Sequence, residues 1–215
     1  PSFLGAETGK GLIFMPIKGG PTQQIAGWLG AMGEVTGDFN QNSLRQWKRD
    51  HTGHRSFTVL RHPLLRAWTA FAALLAGKKA ELRQLMRDVH RVPLPPDAEL
   101  AALDERRKAE LFEAFLDFLR RNLNGQTSLP TPSDWASQSE ILAGFSRFGA
   151  PDLVLRESDL VRDLAWLAAS ARIRNPVDAP EAPEFPAFLG EQSLRAAAKK
   201  AYLRDYVAFG FAGQP

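Results

Sequence analysis

Two features are missing from this sequence, cysteine and any long apolar run, and their absence excludes several kinds of protein. Without a cysteine among its 215 residues, the chain forms neither a disulfide nor a thiolate metal site, which fits a reducing compartment. No apolar run approaches the length of a membrane span, and the start lacks the charged-then-apolar pattern of a signal peptide. We therefore expect a cytoplasmic protein with no membrane span.

The sequence also has little excess of charge of either sign. Its 27 basic and 24 acidic residues leave a formal net charge of +3, which is too small to indicate nucleic-acid binding. A modest excess of arginine instead suits an anionic nucleotide or an acidic glycan. The length predicts a single domain over residues 1–215. Nothing in the sequence indicates an oligomeric state.

The segment from Ser56 to Phe71, SFTVLRHPLLRAWTAF, predicts a strand, a tight turn and a helix. Phe57–Leu60 is a compact run of aromatic, β-branched and aliphatic residues, which is typical of a strand buried on both faces. Pro63 closes the turn, because proline cannot donate a ladder hydrogen bond, and apolar residues recur at helical spacing from Leu64. In open α/β sheets, ligands bind in the crevice beyond the carboxyl ends of such strands.

Arg61 and Thr69 are the residues of this segment that suit a ligand. Arg61 ends the strand and Thr69 lies on the first turns of the helix. A guanidinium can donate two parallel hydrogen bonds to phosphate oxygens. Arg61, Thr69 and the start of the helix therefore form a candidate phosphate-binding site. The alternative is that Arg61 pairs with a carboxylate and that Thr69 only packs. Spacing alone leaves both interpretations open.

A second unit of strand, turn and helix precedes this one. Gly11–Ile17 is an apolar run of strand length, and the loop Lys18–Thr22, KGGPT, follows it. Gly19 and Gly20 let the backbone approach a ligand, and the lysine supplies a cation at the same place. The order of a Walker motif is absent, which disfavours a P-loop kinase. A plain Gly-Pro turn before a helix explains the loop about as well.

These segments resemble the nucleotide-binding segments of sulfotransferases, which move a sulfuryl group from 3′-phosphoadenosine 5′-phosphosulfate (PAPS) to an acceptor hydroxyl. Arg61-His62-Pro63, with Arg66 and Thr69, is similar to the 3′-phosphate segment R-D-P-x-x-R-x-x-S. The likeness is greatest to the carbohydrate-type and related bacterial enzymes. His62 replaces the usual acid, and Thr69 keeps the hydroxyl of the family serine.

The loop after the first strand is similar to the 5′-phosphosulfate loop of the same family, P-K-x-G-x-[TS]. With Lys18 on the family lysine, Gly20 and Thr22 fall on the glycine and the hydroxyl. The loop departs from the pattern in two ways. Ile17 separates the proline from the lysine, and Pro21 removes an amide donor.

The likeness continues to the end of the chain. It includes a W-x-x-Q helix, a strand ending in R-x-E or a similar pair, and an L-x-x-D-L helix. These are represented by Trp135, Gln138, the adjacent Arg156 and Glu157, Leu160, Asp163 and Leu164. It closes on Y-x-x-D-Y-x-x-F-G-[YF], from Tyr202 to Phe211. From the residues alone, these last aromatic side chains pack a C-terminal helix onto the core. Glu157 either orients a basic residue in the cleft or, in the interpretation that we favour, forms a structural salt bridge.

The resemblance implies a P-loop-like α/β fold, with a short parallel sheet flanked by helices. Its core would cover about residues 11–211, with a helical insert at about 78–124 and a polar lead-in at 1–10. Parallel order is also expected because repeated strand-helix units are joined by long crossovers. We further expect one helix from Asp97 to Asn124 and one from Ser193 to Phe211.

The resemblance also implies roles for individual residues. The transfer reaction that it implies needs no metal, because a lysine and amides can stabilise the charge. Two amides and a hydroxyl would hold the 5′-phosphosulfate of PAPS, from Gly19, Gly20 and Thr22. Arg61 and Thr69 would hold the 3′-phosphate. Lys18 would neutralise charge on the leaving oxygen.

The general base is the one role for which the family motifs name no residue. His54 is our candidate because its unperturbed pKa lies near neutrality and it sits close to the strand that carries Arg61. The alternative is a solvated loop histidine. The acceptor would be a hydroxyl of a carbohydrate or another small molecule. The competing function is a degenerate sulfotransferase-fold domain that binds a nucleotide or a protein partner without catalysis.

Overall fold

The computed structural model describes residues 2–77 and 79–213, which form two compact units. The first unit comprises the described residues within Pro1–Arg61 together with Glu140–Pro183. The second comprises those within His62–Ser139 and Glu184–Pro215. Lys78, the first residue of the predicted helical insert, lies outside the described residues. Within the described ranges, no helix is both long and apolar enough to cross a membrane.

The described residues form five strands, nine α-helices and three short 3-10 helices. The strands are β1 (Leu4–Ala6), β2 (Leu12–Phe14), β3 (Val35–Thr36), β4 (Arg55–Leu60) and β5 (Leu153–Arg156). The α-helices are α1 (Thr22–Gly30), α2 (Gln41–Asp50), α3 (Pro63–Ala76), α4 (Ala80–Asp88), α5 (Glu105–Leu123), α6 (Gln138–Phe145), α7 (Leu160–Ser170), α8 (Gln192–Ala201) and α9 (Leu203–Phe209). The 3-10 helices cover Asp97–Ala102, Glu157–Asp159 and Ala187–Gly190.

All five strands belong to the first unit and form one mixed sheet in the order β3-β1-β2-β4-β5. β2, β4 and β5 are parallel neighbours, with Leu12 paired to Arg55 and Phe57 paired to Leu153. β1 runs antiparallel to both β2 and β3. The α/β class is therefore confirmed, whereas the expectation of a parallel sheet holds only for three of the five strands.

The predicted polar lead-in at residues 1–10 is wrong, because this segment supplies β1 in the interior of the sheet. Gly9 and Gly11 have φ values of 54° and 93°, and these left-handed conformations let the chain reverse between β1 and β2. The middle residue of β1 is Gly5, over which the rings of Phe39 and Trp47 pack closely. A three-residue strand with a central glycine has too little hydrophobic pattern to be recognised from sequence.

Apolar side chains cover both faces of the sheet. Phe14 of β2 packs with Ile25 of α1 and Leu164 of α7 in one core cluster. The neighbouring Ile13 points to the opposite face, where it packs with Trp47 of α2. This double burial explains the continuous apolar run of β2. In β4 the fully buried Thr58 interrupts the run, and its hydroxyl donates a hydrogen bond of 2.7 Å to the Met15 carbonyl.

The second unit is helical and is built around α5. Its aromatic stripe, including Phe112 and Phe115, is fully buried, and the helix packs against α3 and α8. Asp104 caps α5, because its side chain accepts a hydrogen bond of 2.7 Å from the Arg107 amide. The predicted helix from Asp97 to Asn124 is therefore divided into a 3-10 helix and α5.

The predicted helix from Ser193 to Phe211 is also divided, into α8 and α9. Tyr202 lies at the break, and its buried hydroxyl donates a hydrogen bond of 2.9 Å to the Trp135 carbonyl. Burial raises the pKa of this phenol, so it stays a neutral donor. The structural role predicted for the C-terminal aromatic residues is confirmed for Tyr202.

Candidate functional site

The loop between β2 and α1 is a tight turn. The Gly20 amide donates a hydrogen bond of 2.9 Å to the Ile17 carbonyl, and Gly19 at the corner has a φ of 82°. This geometry belongs to a type II turn, in which the third residue favours glycine. α1 begins two residues later, at Thr22. The sequence therefore predicted the strand, turn and helix here correctly.

Arg61 follows β4 at the same edge of the sheet and is almost completely buried, with 4% of its surface exposed. Its Nε and Nη2 donate hydrogen bonds of 2.6 and 2.7 Å to the two carboxylate oxygens of Glu157. Its Nη1 donates a third, of 3.0 Å, to the Gly19 carbonyl. Because β2, β4 and β5 are adjacent and parallel, their carboxyl ends bring these three residues together.

The bidentate pair with Glu157 holds the Arg61 side chain in place. The two carboxylate oxygens of Glu157 bind the Arg61 guanidinium in the way that two phosphate oxygens would. The carboxylate also balances the buried positive charge of Arg61. A phosphate at Arg61 would therefore share the guanidinium with Glu157 or displace it. Glu157 therefore forms a salt bridge, and its partner is the basic residue that follows β4, so both interpretations of Glu157 fit this contact.

The loop amides are only partly available to an anion. The Gly20 amide is held by Ile17, and the Thr22 amide donates a hydrogen bond of 2.9 Å to the Gly20 carbonyl. The first amides of a helix lack intrahelical acceptors, and the cap of α1, Pro21, provides no side-chain hydrogen bond. Among the predicted groups, the exposed Lys18 side chain, the Gly19 amide and the Thr22 hydroxyl suit an anion better than the Gly20 amide does.

His54 lies at the other end of β4. It directly precedes the strand, whose six residues separate it from Arg61, so the two are roughly 20 Å apart at the usual rise per residue. Its Nδ1 lies 3.0 Å from the His51 carbonyl oxygen, and its ring packs edge-on against Trp47. The structure does not bring His54 to Lys18 and Arg61, because His54 precedes β4 whereas Arg61 follows it.

No protein-family model, no curated protein and no solved structure matches this chain. The resemblance to sulfotransferases therefore depends on the motifs alone.

Thr69 and Arg66 belong to the second unit, on α3. The Thr69 hydroxyl donates a hydrogen bond of 2.9 Å to the Leu65 carbonyl, one turn earlier in the same helix. Arg66 is fully buried and donates to the carbonyls of Ser133 and Ala136. Arg66 therefore holds the segment before α6, which is a structural role for a residue of the family motif.

Asp205, within the terminal motif, is fully buried and also has a structural role. Its carboxylate accepts hydrogen bonds of 2.8 and 3.0 Å from the amides of Gln138 and Ser139, the first residues of α6. It thus caps a helix that lies more than 60 residues away in sequence. Gln138 belongs to the W-x-x-Q motif and Asp205 to the D-Y motif, but the sequence did not indicate that these two motifs are in contact.

Proposed function

We propose that the protein is a PAPS-dependent sulfotransferase that acts on a hydroxyl of a carbohydrate or another small acceptor. The observation that supports it best is the pairing of the loop after β2 with the residue that ends β4. These strands are adjacent and parallel, and Arg61 donates a hydrogen bond of 3.0 Å to Gly19 of the loop. Ligands of open α/β sheets bind at this edge, and both segments match the order of the family motifs.

In this proposal the first unit holds the phosphosulfate end of the donor. Lys18, the Gly19 amide, the Thr22 hydroxyl and the start of α1 supply positive charge and hydrogen-bond donors. The acceptor oxygen forms a bond to sulfur as the bond from sulfur to the phosphate oxygen breaks, and Lys18 stabilises the charge that develops on that oxygen. Arg61, held by Glu157, orients the loop through Gly19.

The proton of the acceptor hydroxyl goes to a base that we do not assign. His54 is not a candidate for this site, because it lies at the amino end of β4. The contact of Thr69 with the 3′-phosphate stays a prediction from the sequence.

The second candidate is a domain that binds a nucleotide without transferring a sulfuryl group. Three observations favour it. Glu157 occupies the Arg61 fork, and the Gly20 amide is held by Ile17. Pro21, which has no amide hydrogen, removes another donor from the loop.

A transfer assay separates the two candidates. We would incubate the chain with PAPS that carries a labelled sulfuryl group and a panel of saccharides, and measure labelled saccharide and released 3′-phosphoadenosine 5′-phosphate (PAP). Lys18→Ala should lower turnover by about 100-fold or more, because it removes charge stabilisation at the leaving oxygen. Lys200→Ala, which removes an exposed lysine from α8, is the matched control and should keep wild-type turnover.

Two results would contradict this proposal, one for the activity and one for the role of Lys18. PAP binding without transfer to any saccharide of the panel favours the second candidate. Equal turnover of the Lys18→Ala and Lys200→Ala variants would remove the role of Lys18.

A further inference from the structure

A recess in the second unit lies between one face of α8 and the segment that follows α9. It has a volume of about 500 Å³ and is lined by Gln192, Arg195, Ala196, Lys199, Ala212 and Gly213. We call it the α8 recess. Residues 192, 195 and 199 are spaced by three and four, so their side chains share one face of the helix.

Among the described residues, no carboxylate forms an ion pair with the cations of the α8 recess. α8 contains Arg195, Lys199 and Lys200 but no acidic residue. Within the described residues, neither Arg195 nor Lys199 has a carboxylate within 4.0 Å, and the buried Arg195 Nε has no hydrogen-bond acceptor.

The helix packed against α8 shows the opposite arrangement. The arginines of α5 form ion pairs with acidic residues one turn away, for example Arg107 with Glu110 and Arg120 with Asp117. In the part of the chain that the structure describes, Arg195 and Lys199 thus form no ion pair, although Glu191, the residue before α8, lies one turn from Arg195.

The opposite wall of the recess is held in place by His62. Its Nε2 lies 3.0 Å from the Ala212 carbonyl oxygen and donates a hydrogen bond to it. The imidazole also packs edge-on against the rings of Tyr206 and Phe211, with centroid distances of 5.5 Å in both cases. These contacts fix the segment at Ala212 and Gly213, so the recess has two defined sides.

We propose that the α8 recess binds the tetrahedral oxyanion group of a small molecule, either a sulfate or a phosphate monoester. The planar fork of Arg195 suits two oxygens of such a group, and Lys199 suits the remaining charge. The Gln192 amide adds a donor for a neighbouring hydroxyl. The volume accommodates a monosaccharide ester, and a recess with two cations is too small a basic surface for nucleic acid. The site shares no residue with the proposed PAPS site.

The test is a calorimetric titration of the full chain at constant ionic strength, with galactose 6-sulfate and galactose 6-phosphate as probes. Arg195→Gln and Lys199→Gln should each weaken binding by about tenfold or more, because each removes a charged donor. Lys200→Gln removes the same charge from the adjacent position outside the recess, and should weaken binding by less than about twofold. The two esters show whether the site prefers sulfate or phosphate.

The outcomes are distinct. No saturable binding of either ester, or equal weakening by Lys199→Gln and Lys200→Gln, would overturn the proposal. Circular dichroism shows whether each variant is folded, and Lys199, which is exposed, can be changed without disturbing the core. Lys18→Ala should leave ester binding unchanged, so failure of the PAPS proposal and failure of this one are distinguishable.

Discussion

Gly5 shows how one residue determines the packing of a whole face of the sheet. A Cβ at this position would lie 2.9 Å from the rings of both Phe39 and Trp47, and both rings are buried. Arg61 is a comparable case at the other end of the strands, since its side chain joins β4 to Glu157 and to Gly19. At both positions the residue type follows from contacts with residues that are distant in sequence.

We predict that Gly5→Ala lowers the free energy of unfolding by about 1–3 kcal/mol, because the added methyl group overpacks this face. The measurement is urea unfolding followed by circular dichroism. Gly27→Ala is the matched control. Gly27 lies within α1 with no atom within 4 Å of an added Cβ, so the change should raise stability by about 0.5–1 kcal/mol. Equal midpoints for the two variants would show that the contacts over Gly5 are not tight.

At the scale of elements, α3 and the C-terminal segment meet at His62. The His62 imidazole forms no capping hydrogen bond to an amide of α3. Instead it donates a hydrogen bond to the Ala212 carbonyl and packs against the rings of Tyr206 and Phe211. Burial lowers the pKa of His62 below its usual 6.5, because the charged form loses hydration there, while the hydrogen bond to Ala212 partly opposes this shift.

This shift predicts a pH dependence of stability. The unfolded chain takes up a proton at His62 more readily than the folded chain, so stability should fall as the pH is lowered from above 6.5 towards the folded pKa. His62→Gln keeps an amide donor but does not titrate. We expect its free energy of unfolding to change less between about pH 7.5 and about pH 5.5 than that of the wild type. Parallel pH profiles for both proteins would contradict this account.

The strength of the local signal determined which elements could be predicted. β2, β4 and α1 were predicted because β2 is a continuous apolar run, β4 is rich in aromatic, β-branched and aliphatic residues, and α1 has a helical repeat. β1 was missed because Gly5 interrupts its pattern. The breaks at Asp104 and Tyr202 were missed because they depend on a cap and on a hydrogen bond to Trp135.

At the scale of the whole molecule, the sequence predicted the α/β class and the order of the two strand-turn-helix units. It could not predict the mixed sheet, because the direction of β1 is set by a tight turn rather than by a crossover. The candidate site divides in the same way. Lys18, Gly19 and Arg61 come together because they follow adjacent parallel strands, whereas His54 precedes β4 and so lies at the other end.

The measurement that tests the central proposal most directly is a calorimetric titration of the wild-type chain, Lys18→Ala and Lys200→Ala with PAP. Lys18 is preferable to Arg61 as the position to change, because removing one partner of the buried Arg61–Glu157 pair would destabilise the fold by roughly 3–5 kcal/mol. We predict that the wild type and Lys200→Ala bind PAP with a micromolar Kd, which corresponds to a binding free energy of about −8 kcal/mol. Lys18→Ala should bind PAP at least about tenfold more weakly. Absence of binding by the wild type, or identical affinities for the two lysine variants, would contradict a nucleotide site at the loop between β2 and α1.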